Sequence, residues 1–212
     1  MHKPQVDTNH YRFRRYSGSE RWMNYWHQID LVLATGAKRV LEIGPGDQTV
    51  TGALRKNGVE VVTVDIDERL KPDVVASVTE LPFPDASFDL VLCSEVLEHI
   101  PFEEFPRALA ELKRVSRGKV IVGLPNAGAV LLFRIKLPLV RYLTLFAKIP
   151  FFWKKHVWNG EHYWETGKRG YSLRVIREAL QNAGFDISEE KIYYDDPAHC
   201  LFVLEDNPTS RS

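Results

Sequence analysis

The chain has 212 residues, with 28 basic and 28 acidic side chains and a formal charge of zero at pH 7. That balance argues against nucleic-acid binding driven by global charge, and the length allows one sizeable domain with at most a small cap. A hydrophobic fraction of 44% is ordinary for a globular domain, no apolar run reaches the ~18 residues of a membrane-spanning helix, and Met1 to Tyr16 lacks the apolar core of a secretory leader.

Residues 1–16 are polar, and His10 to Tyr16 mixes cations with aromatics. This arm has two readings, a surface strap and a lid over a ligand. Ser17 and Glu20 have capping-box spacing. Trp22, Tyr25, Trp26, Ile29 and Leu33 then recur at helical spacing up to Gly36, and the stripe is read as a packing face. Val40, Leu41 and Ile43 predict a short buried strand, Gly44-Pro45-Gly46 turns it sharply, and Gln48 to Lys56 predicts a helix ended by Gly58. A strand feeding a helix through a glycine-rich turn opens a nucleotide-binding βαβ unit. The glycines let backbone approach a ligand, and the helix N-terminus offers free N–H groups. Thr49 stands where a dinucleotide fingerprint needs its last glycine. Glu42 lies at the mouth of the turn, where a carboxylate repels a pyrophosphate and suits an amine or a sulfonium. The next strand, Val59 to Val64, ends on Asp65 and is followed by Ile66; a carboxylate there takes both hydroxyls of a ribose. These features ask for a nucleoside with a cationic, phosphate-free tail, and S-adenosylmethionine answers to that description.

Val74 to Ala76 predicts a third strand, and Ser77 and Val78 follow it. The prolines of Leu81-Pro82-Phe83-Pro84 exclude helix and central strand. Phe88 to Cys93 is almost wholly apolar, as a strand covered on both faces should be. Cys93 and Cys200 are therefore read as buried free thiols in a reducing compartment, which makes the cytoplasm the expected location. Ser94 and Glu95 leave the carboxyl end of this strand, the edge where open α/β sheets bind ligands. Phe102 to Val115 predicts a helix with acids early and bases late, and Lys119 to Leu124 a fifth strand. Ser172 caps a helix over Leu173 to Ala183, followed by a hairpin of Ile187–Tyr194 and Cys200–Leu204.

Leu41-Glu42-Ile43-Gly44-Pro45-Gly46, Asp65, Leu81-Pro82-Phe83-Pro84-Asp85-Ala86-Ser87-Phe88-Asp89 and Ser94-Glu95-Val96-Leu97-Glu98-His99 together resemble the class I S-adenosylmethionine-dependent methyltransferases, in particular those acting on small molecules. The resemblance covers roughly positions 37–125. It implies a doubly wound, Rossmann-like sheet of seven strands in the order 3-2-1-4-5-7-6, with the last strand antiparallel. It places Glu42, Gly44 and Gly46 at the methionine part of the cofactor, Asp65 and Ile66 at the ribose, Ser77 and Val78 at the adenine, and Ser94 and Glu95 near the reacting methyl. S-adenosylhomocysteine would be the product. Two departures stand out: Gln48 replaces a frequent third glycine, and Ser77 a frequent Asp in the adenine loop.

The implied layout is an arm (1–16), a cofactor-binding core (17–126), an inserted cap (127–165), and a helix and hairpin that complete the core (166–206). The cap is apolar and basic, with no Asp or Glu between Glu111 and Glu161. Either its apolar side packs on the core, or residues 127–160 meet a membrane or a lipid-linked anionic substrate. Glu161-His162-Tyr163-Trp164-Glu165 through Gly170-Tyr171 resembles methyltransferases of surface-polysaccharide pathways, pointing to sugar or lipid-linked acceptors. Tyr163 and Trp164 are read as pocket lining. Glu161, His162 and His99 are the candidates for a general base, His99 being first read as a backbone-bonding residue. His156 and His162 lie six residues apart without a cysteine, so no metal is expected. Two alternatives stand beside methyl transfer: a nicotinamide-dependent oxidoreductase, which Glu42 disfavours, and a cofactor-binding module without turnover. Oligomeric state is not legible in the sequence.

Overall fold

The computed structural model of the chain describes residues 18–136, 138 and 142–207; the arm, Ser17 and Arg141 lie outside them. Helix α1 (Ser19–Ala34) leads into β1 (Arg39–Ile43), α2 (Thr49–Lys56), β2 (Glu60–Asp65), β3 (Val74–Val75) and β4 (Phe88–Ser94). Then follow α3 (Phe105–Val115), β5 (Ser116–Pro125), β6 (Gly128–Lys136), β7 (Tyr142–Pro150), α4 (Leu173–Asn182), β8 (Phe185–Tyr193) and β9 (Asp196–Asp206). Seven of these strands form one sheet in the order β3-β2-β1-β4-β5-β9-β8, while β6 and β7 pair separately. With that separate pair set aside, this is the expected 3-2-1-4-5-7-6 order, and β9 runs antiparallel to both β5 and β8. No helix among the described residues is long and apolar enough to cross a membrane.

The inner strands read apolar because both sheet faces are covered. On one side Leu41, Val91, Val120 and Phe202 pack with Leu109 and Leu112 of α3 and Ile176 and Leu180 of α4. On the other, Val40, Leu90, Leu92 and Ile121 pack with Leu31 and Val32 of α1 and Leu54 of α2. Cys93 and Cys200 are buried and unbridged, as expected. Ser172 caps α4 through a hydrogen bond accepted from the Val175 amide at 3.4 Å.

Three expectations need correction. The N-cap of α1 is Gly18, which makes no side-chain cap hydrogen bond. Only part of the stripe on α1 packs: Tyr25 is buried and Ile29 rests on the core, but Trp22 and Trp26 are 44% and 56% exposed. The buried side instead carries Asn24, Tyr25, His27, Gln28, Leu31 and Val32. Two of its polar side chains find partners where β8 turns into β9: Asn24 donates to Asp196 at 2.8 Å, and His27 Nε2 lies 2.9 Å from Asp195 while its ring stacks on Tyr193. Third, Trp164 does not line a pocket. It is fully buried, donates to the Ile100 carbonyl at 3.1 Å, and meets Phe102 and Phe105 edge-on. Tyr163 beside it is exposed and lies against Trp158.

Candidate functional site

A cavity of about 290 Å³ opens at the carboxyl edge of the parallel strands, at the low end of small-molecule sites. Its lining includes Glu42, Gly44, Gly46, Asp65, Ile66, Ser77, Val78, Ser94 and Glu95, together with His99, Glu161 and His162. Every site residue expected from the sequence therefore reaches one cavity, although they come from five separate stretches of chain.

The β1–α2 turn forms one wall. Gly44 has φ +71°, and a Cβ there would fall 2.3 Å from Val96 Cγ2, so only glycine fits beneath the residue that follows Glu95. Gln48, which stands in place of the third glycine, also adopts a left-handed conformation at φ 60°. Its side chain donates to the Leu70 carbonyl at 3.0 Å and so ties this turn to the loop after β2. The departure from the family pattern keeps the backbone shape and adds a tether.

Glu42 is 4% exposed and accepts a hydrogen bond from Thr51 Oγ1 at 2.5 Å. Burial outweighs that bond and the nearby Arg55, raising its carboxyl to about 7. Asp65, at the tip of β2, is likewise pushed up by burial, while its Oδ1 accepts from the Asp67 amide at 2.8 Å. In the adenine loop, Ser77 and Thr79 hydroxyls lie 2.8 Å apart.

The far end of the cavity holds groups that sequence reasoning missed. Glu98 is fully buried in a short 3-10 turn, Leu97–His99, and neither carboxylate oxygen has a hydrogen bond. Burial and then the Glu95 charge push its carboxyl well above the usual range. Glu95 has φ +56°, an uncommon conformation for a non-glycine residue that turns its carboxylate into the site. His199 of β9 sits between Glu95, at 3.3 Å, and Asp196, at 2.5 Å. Burial opposes its charge, but the two carboxylates prevail and raise it to about 10, and in return His199 keeps Glu95 ionised. Asp196 opens β9 and His199 lies three residues into it, with no local pattern to mark them.

His99 and His162 face each other with ring centroids 5.0 Å apart. His99 Nδ1 lies 2.9 Å from the Glu161 carbonyl, so its backbone partner comes from the loop after β7. Burial and then His162 hold His99 below its ordinary value, favouring the neutral ring. His162 Nδ1 lies 3.2 Å from Glu165, whose carboxylate also pairs with Lys168 at 2.7 Å. Burial of Glu165 is more than offset by these partners, which draw it down to about 2. His156 holds the loop rather than the cavity, its Nε2 lying 2.8 Å from the His162 carbonyl.

A family model described as "Methyltransferase domain" matches residues 41–122. A demethylmenaquinone methyltransferase of Renibacterium salmoninarum is 34% identical over 106 residues, 44% of each chain. A probable S-adenosylmethionine-dependent methyltransferase of Mycobacterium tuberculosis is 31% identical over 138 residues, 58% of this chain and 46% of the relative. The chain thus spans less than half the length of these curated relatives. Among solved structures, a Burkholderia thailandensis 1,6-didemethyltoxoflavin-N1-methyltransferase bound to S-adenosylhomocysteine superposes with a TM-score of 0.60 at 16% identity, over 98% of this chain and 93% of that one. Magnesium protoporphyrin IX methyltransferase from Synechocystis, with the same ligand, gives 0.59 at 14% identity, over 88% of this chain and 84% of that one. At such identities the likeness speaks for the fold. The family-model match is thus to a methyltransferase domain over residues 41–122, and the chain has the α/β Rossmann-like fold of these solved methyltransferases.

Proposed function

We propose that this chain transfers the methyl group of S-adenosylmethionine to a small-molecule acceptor. The observation that carries the reading is the pair of carboxylates, Glu42 and Asp65, in a single cavity bordered by the glycine turn. Glu42 and Gly44 then border the methionine part, Asp65 and Ile66 the ribose, and Ser77 and Val78 the adenine, which leaves Ser94 and Glu95 beside the sulfonium. Methyl transfer is an in-line displacement. The acceptor lone pair forms the new bond, the S–CH3 pair stays on sulfur to give S-adenosylhomocysteine, and an O–H or N–H acceptor releases its proton. The sulfonium already makes the methyl electrophilic, so the protein's work is orientation and exclusion of water. Neutral His99 is suited to accept the proton, with His162 and Glu161 beside it. Calorimetric titration of S-adenosylhomocysteine into wild type and Asp65→Ala tests the site. Loss of a charged hydrogen-bonding partner should weaken binding roughly 10- to 100-fold, and equal affinity would remove Asp65 from it. Release of S-adenosylhomocysteine from S-adenosylmethionine in a lysate, with and without the protein, separates turnover from binding alone.

We also propose that the inserted cap presents this site to an anionic bilayer and a lipid-linked acceptor. In the β6–β7 ribbon, directly opposed residues share a face. One face consists of Ala129, Leu131, Phe133 and Ile135 against Ile149, Ala147, Leu145 and Leu143, with no polar side chain. Leu131, Phe133 and Leu145 are 68%, 53% and 61% exposed, so this face does not pack on the core. Arg134 and Lys136 lie on the other face, where Lys148 donates to the carbonyls of Asn126 and Pro197 and anchors the ribbon to the sheet. Exposed Phe152 and Trp153 precede Lys154 and Lys155. An apolar face free of acids, with Lys154 and Lys155 just beyond the end of the ribbon, matches a surface of anionic lipid, where each cation near the surface adds about 1 kcal/mol. Sedimentation with anionic vesicles at low salt should carry the protein down, and failure to do so would end this part of the reading.

A further inference from the structure

We propose that Glu98, His99 and His162 form a site for one divalent transition-metal cation at the acceptor end of the cavity. One ligand atom from each, a carboxylate oxygen and two imidazole nitrogens, lie within 4.8 Å of one another. Ligands on a common metal with bonds of about 2.1 Å sit roughly 3 Å apart, so side-chain rotation of about 1–2 Å closes the set.

Three features mark this group as more than a chance cluster. Glu98 is fully buried, and neither of its oxygens has a hydrogen-bond partner. A buried carboxylate left so is costly, and His99 Nε2, at 3.9 Å from Oε1, is too distant to satisfy it. Next, each imidazole is steered through its other nitrogen. His99 Nδ1 meets the Glu161 carbonyl and His162 Nδ1 meets the Glu165 carboxylate, so both rings are oriented by partners outside the cluster. Carbonyl and carboxylate partners of this kind are how metal-ligating histidines are held. Finally, all three residues line the cavity, so the coordination positions they leave open face its interior. Two imidazoles and one carboxylate suit manganese, iron, cobalt or zinc better than calcium or magnesium. The site draws on a 3-10 turn after β4 and a loop beyond β7, 63 residues on, which is why pairing His156 with His162 along the sequence gave no metal.

Resting on the methyl-transfer reading, the site also narrows the acceptor. An open position takes the acceptor oxygen, and a second open position favours acceptors with two neighbouring oxygens, such as a vicinal diol or catechol. Coordination lowers the hydroxyl pKa. As metal ligands His99 and His162 no longer act as bases: the oxygen forms its bond to the methyl carbon as the S–CH3 pair stays on sulfur, and the hydroxyl proton leaves to water.

The test needs no acceptor. Chelator-treated full-length protein is titrated with Co2+ and followed by visible absorption, with Zn2+ and Mn2+ as calorimetric competitors. One equivalent should bind per chain. His162→Gln should weaken binding more than tenfold, Glu165→Gln about 10- to 100-fold, and His27→Gln not at all. His162 and Glu165 are partly exposed loop residues, and the wild-type titration stands even if a variant misfolds. Absence of saturable Co2+ binding to wild type, or unchanged binding in both His99→Gln and His162→Gln, would overturn the proposal. S-adenosylhomocysteine is titrated into the same samples. Its binding without Co2+ binding refutes the metal site alone, and Co2+ binding without it refutes the methyl-transfer reading alone.

Discussion

Glu42→Gln should make the protein more stable and a poorer binder of S-adenosylmethionine. Glu42 is buried, and its carboxyl is raised from 4.5 to about 7. The folded state holds a proton there that the unfolded state gives up, so rising pH removes stability from about 4.5 to 7 and no more beyond. At 1.36 kcal/mol for each pH unit, the ionised side chain costs on the order of 3 kcal/mol at pH 8. Glutamine carries no charge, keeps an acceptor for the Thr51 hydroxyl and has nearly the same shape, so it should recover much of that. For a domain of this size the gain corresponds to roughly 6–12 °C in Tm. Urea denaturation of both proteins at pH 5 and pH 8 reads the effect, with a small difference at the first and a large one at the second. Removing the carboxylate that meets the ligand's ammonium group should also weaken S-adenosylhomocysteine binding roughly 10- to 100-fold. Such opposition between stability and binding is expected where a site keeps a desolvated charge. If Glu42→Gln were no more stable at pH 8, or bound the ligand as tightly as wild type, the assignment of Glu42 as the charged mouth of the site would fail.

Gly44→Ala should abolish S-adenosylhomocysteine binding, because its methyl would lie 2.3 Å from Val96 Cγ2; Gly44→Ala with Val96→Ala should recover part of it, and calorimetry checks both. Trp164→Ala should cost about 3–5 kcal/mol in urea titrations, and Trp164→Phe less, since phenylalanine keeps the apolar contacts but leaves the Ile100 carbonyl unpaired. His199 is raised from 6.5 to about 10, so its contribution to stability is complete below about 6.5 and is lost as pH rises through 10. His199→Gln should therefore flatten the alkaline limb of the stability–pH curve, as read by thermal denaturation across that range. Leu131→Glu with Leu145→Glu should leave S-adenosylhomocysteine affinity intact while eliminating sedimentation with anionic vesicles.

The βαβ opening and the residues that meet at one end of the cavity were legible in the sequence because each is a local matter, whereas the order of the seven strands came from the family resemblance. Gly44 and Gly46 answer to backbone shape at one turn, Glu42 and Asp65 to strand ends, and the apolar run of β4 to burial on both faces. The face of α1 was not legible. Its buried side is polar, and Asn24 and His27 can be buried only because Asp195 and Asp196, more than 160 residues on, supply their partners. Hydrophobic periodicity therefore pointed at Trp22 and Trp26, which are exposed. The cap's form was hidden for a related reason. Its apolar residues show on both strands of a ribbon, and only pairing of β6 with β7 sorts them into one wholly apolar face and one mixed face that holds Arg134, Lys136 and Lys148 beside Val130, Leu132 and Phe146. The acceptor end depended on tertiary structure most of all. Glu95, Glu98 and His99 leave β4, His162 arrives from the loop after the ribbon, and His199 comes from the last strand. Sequence determines what each of these groups is able to do, but closure of the sheet decides which of them meet, because charges and hydrogen bonds act over a few ångströms of space whatever their separation along the chain.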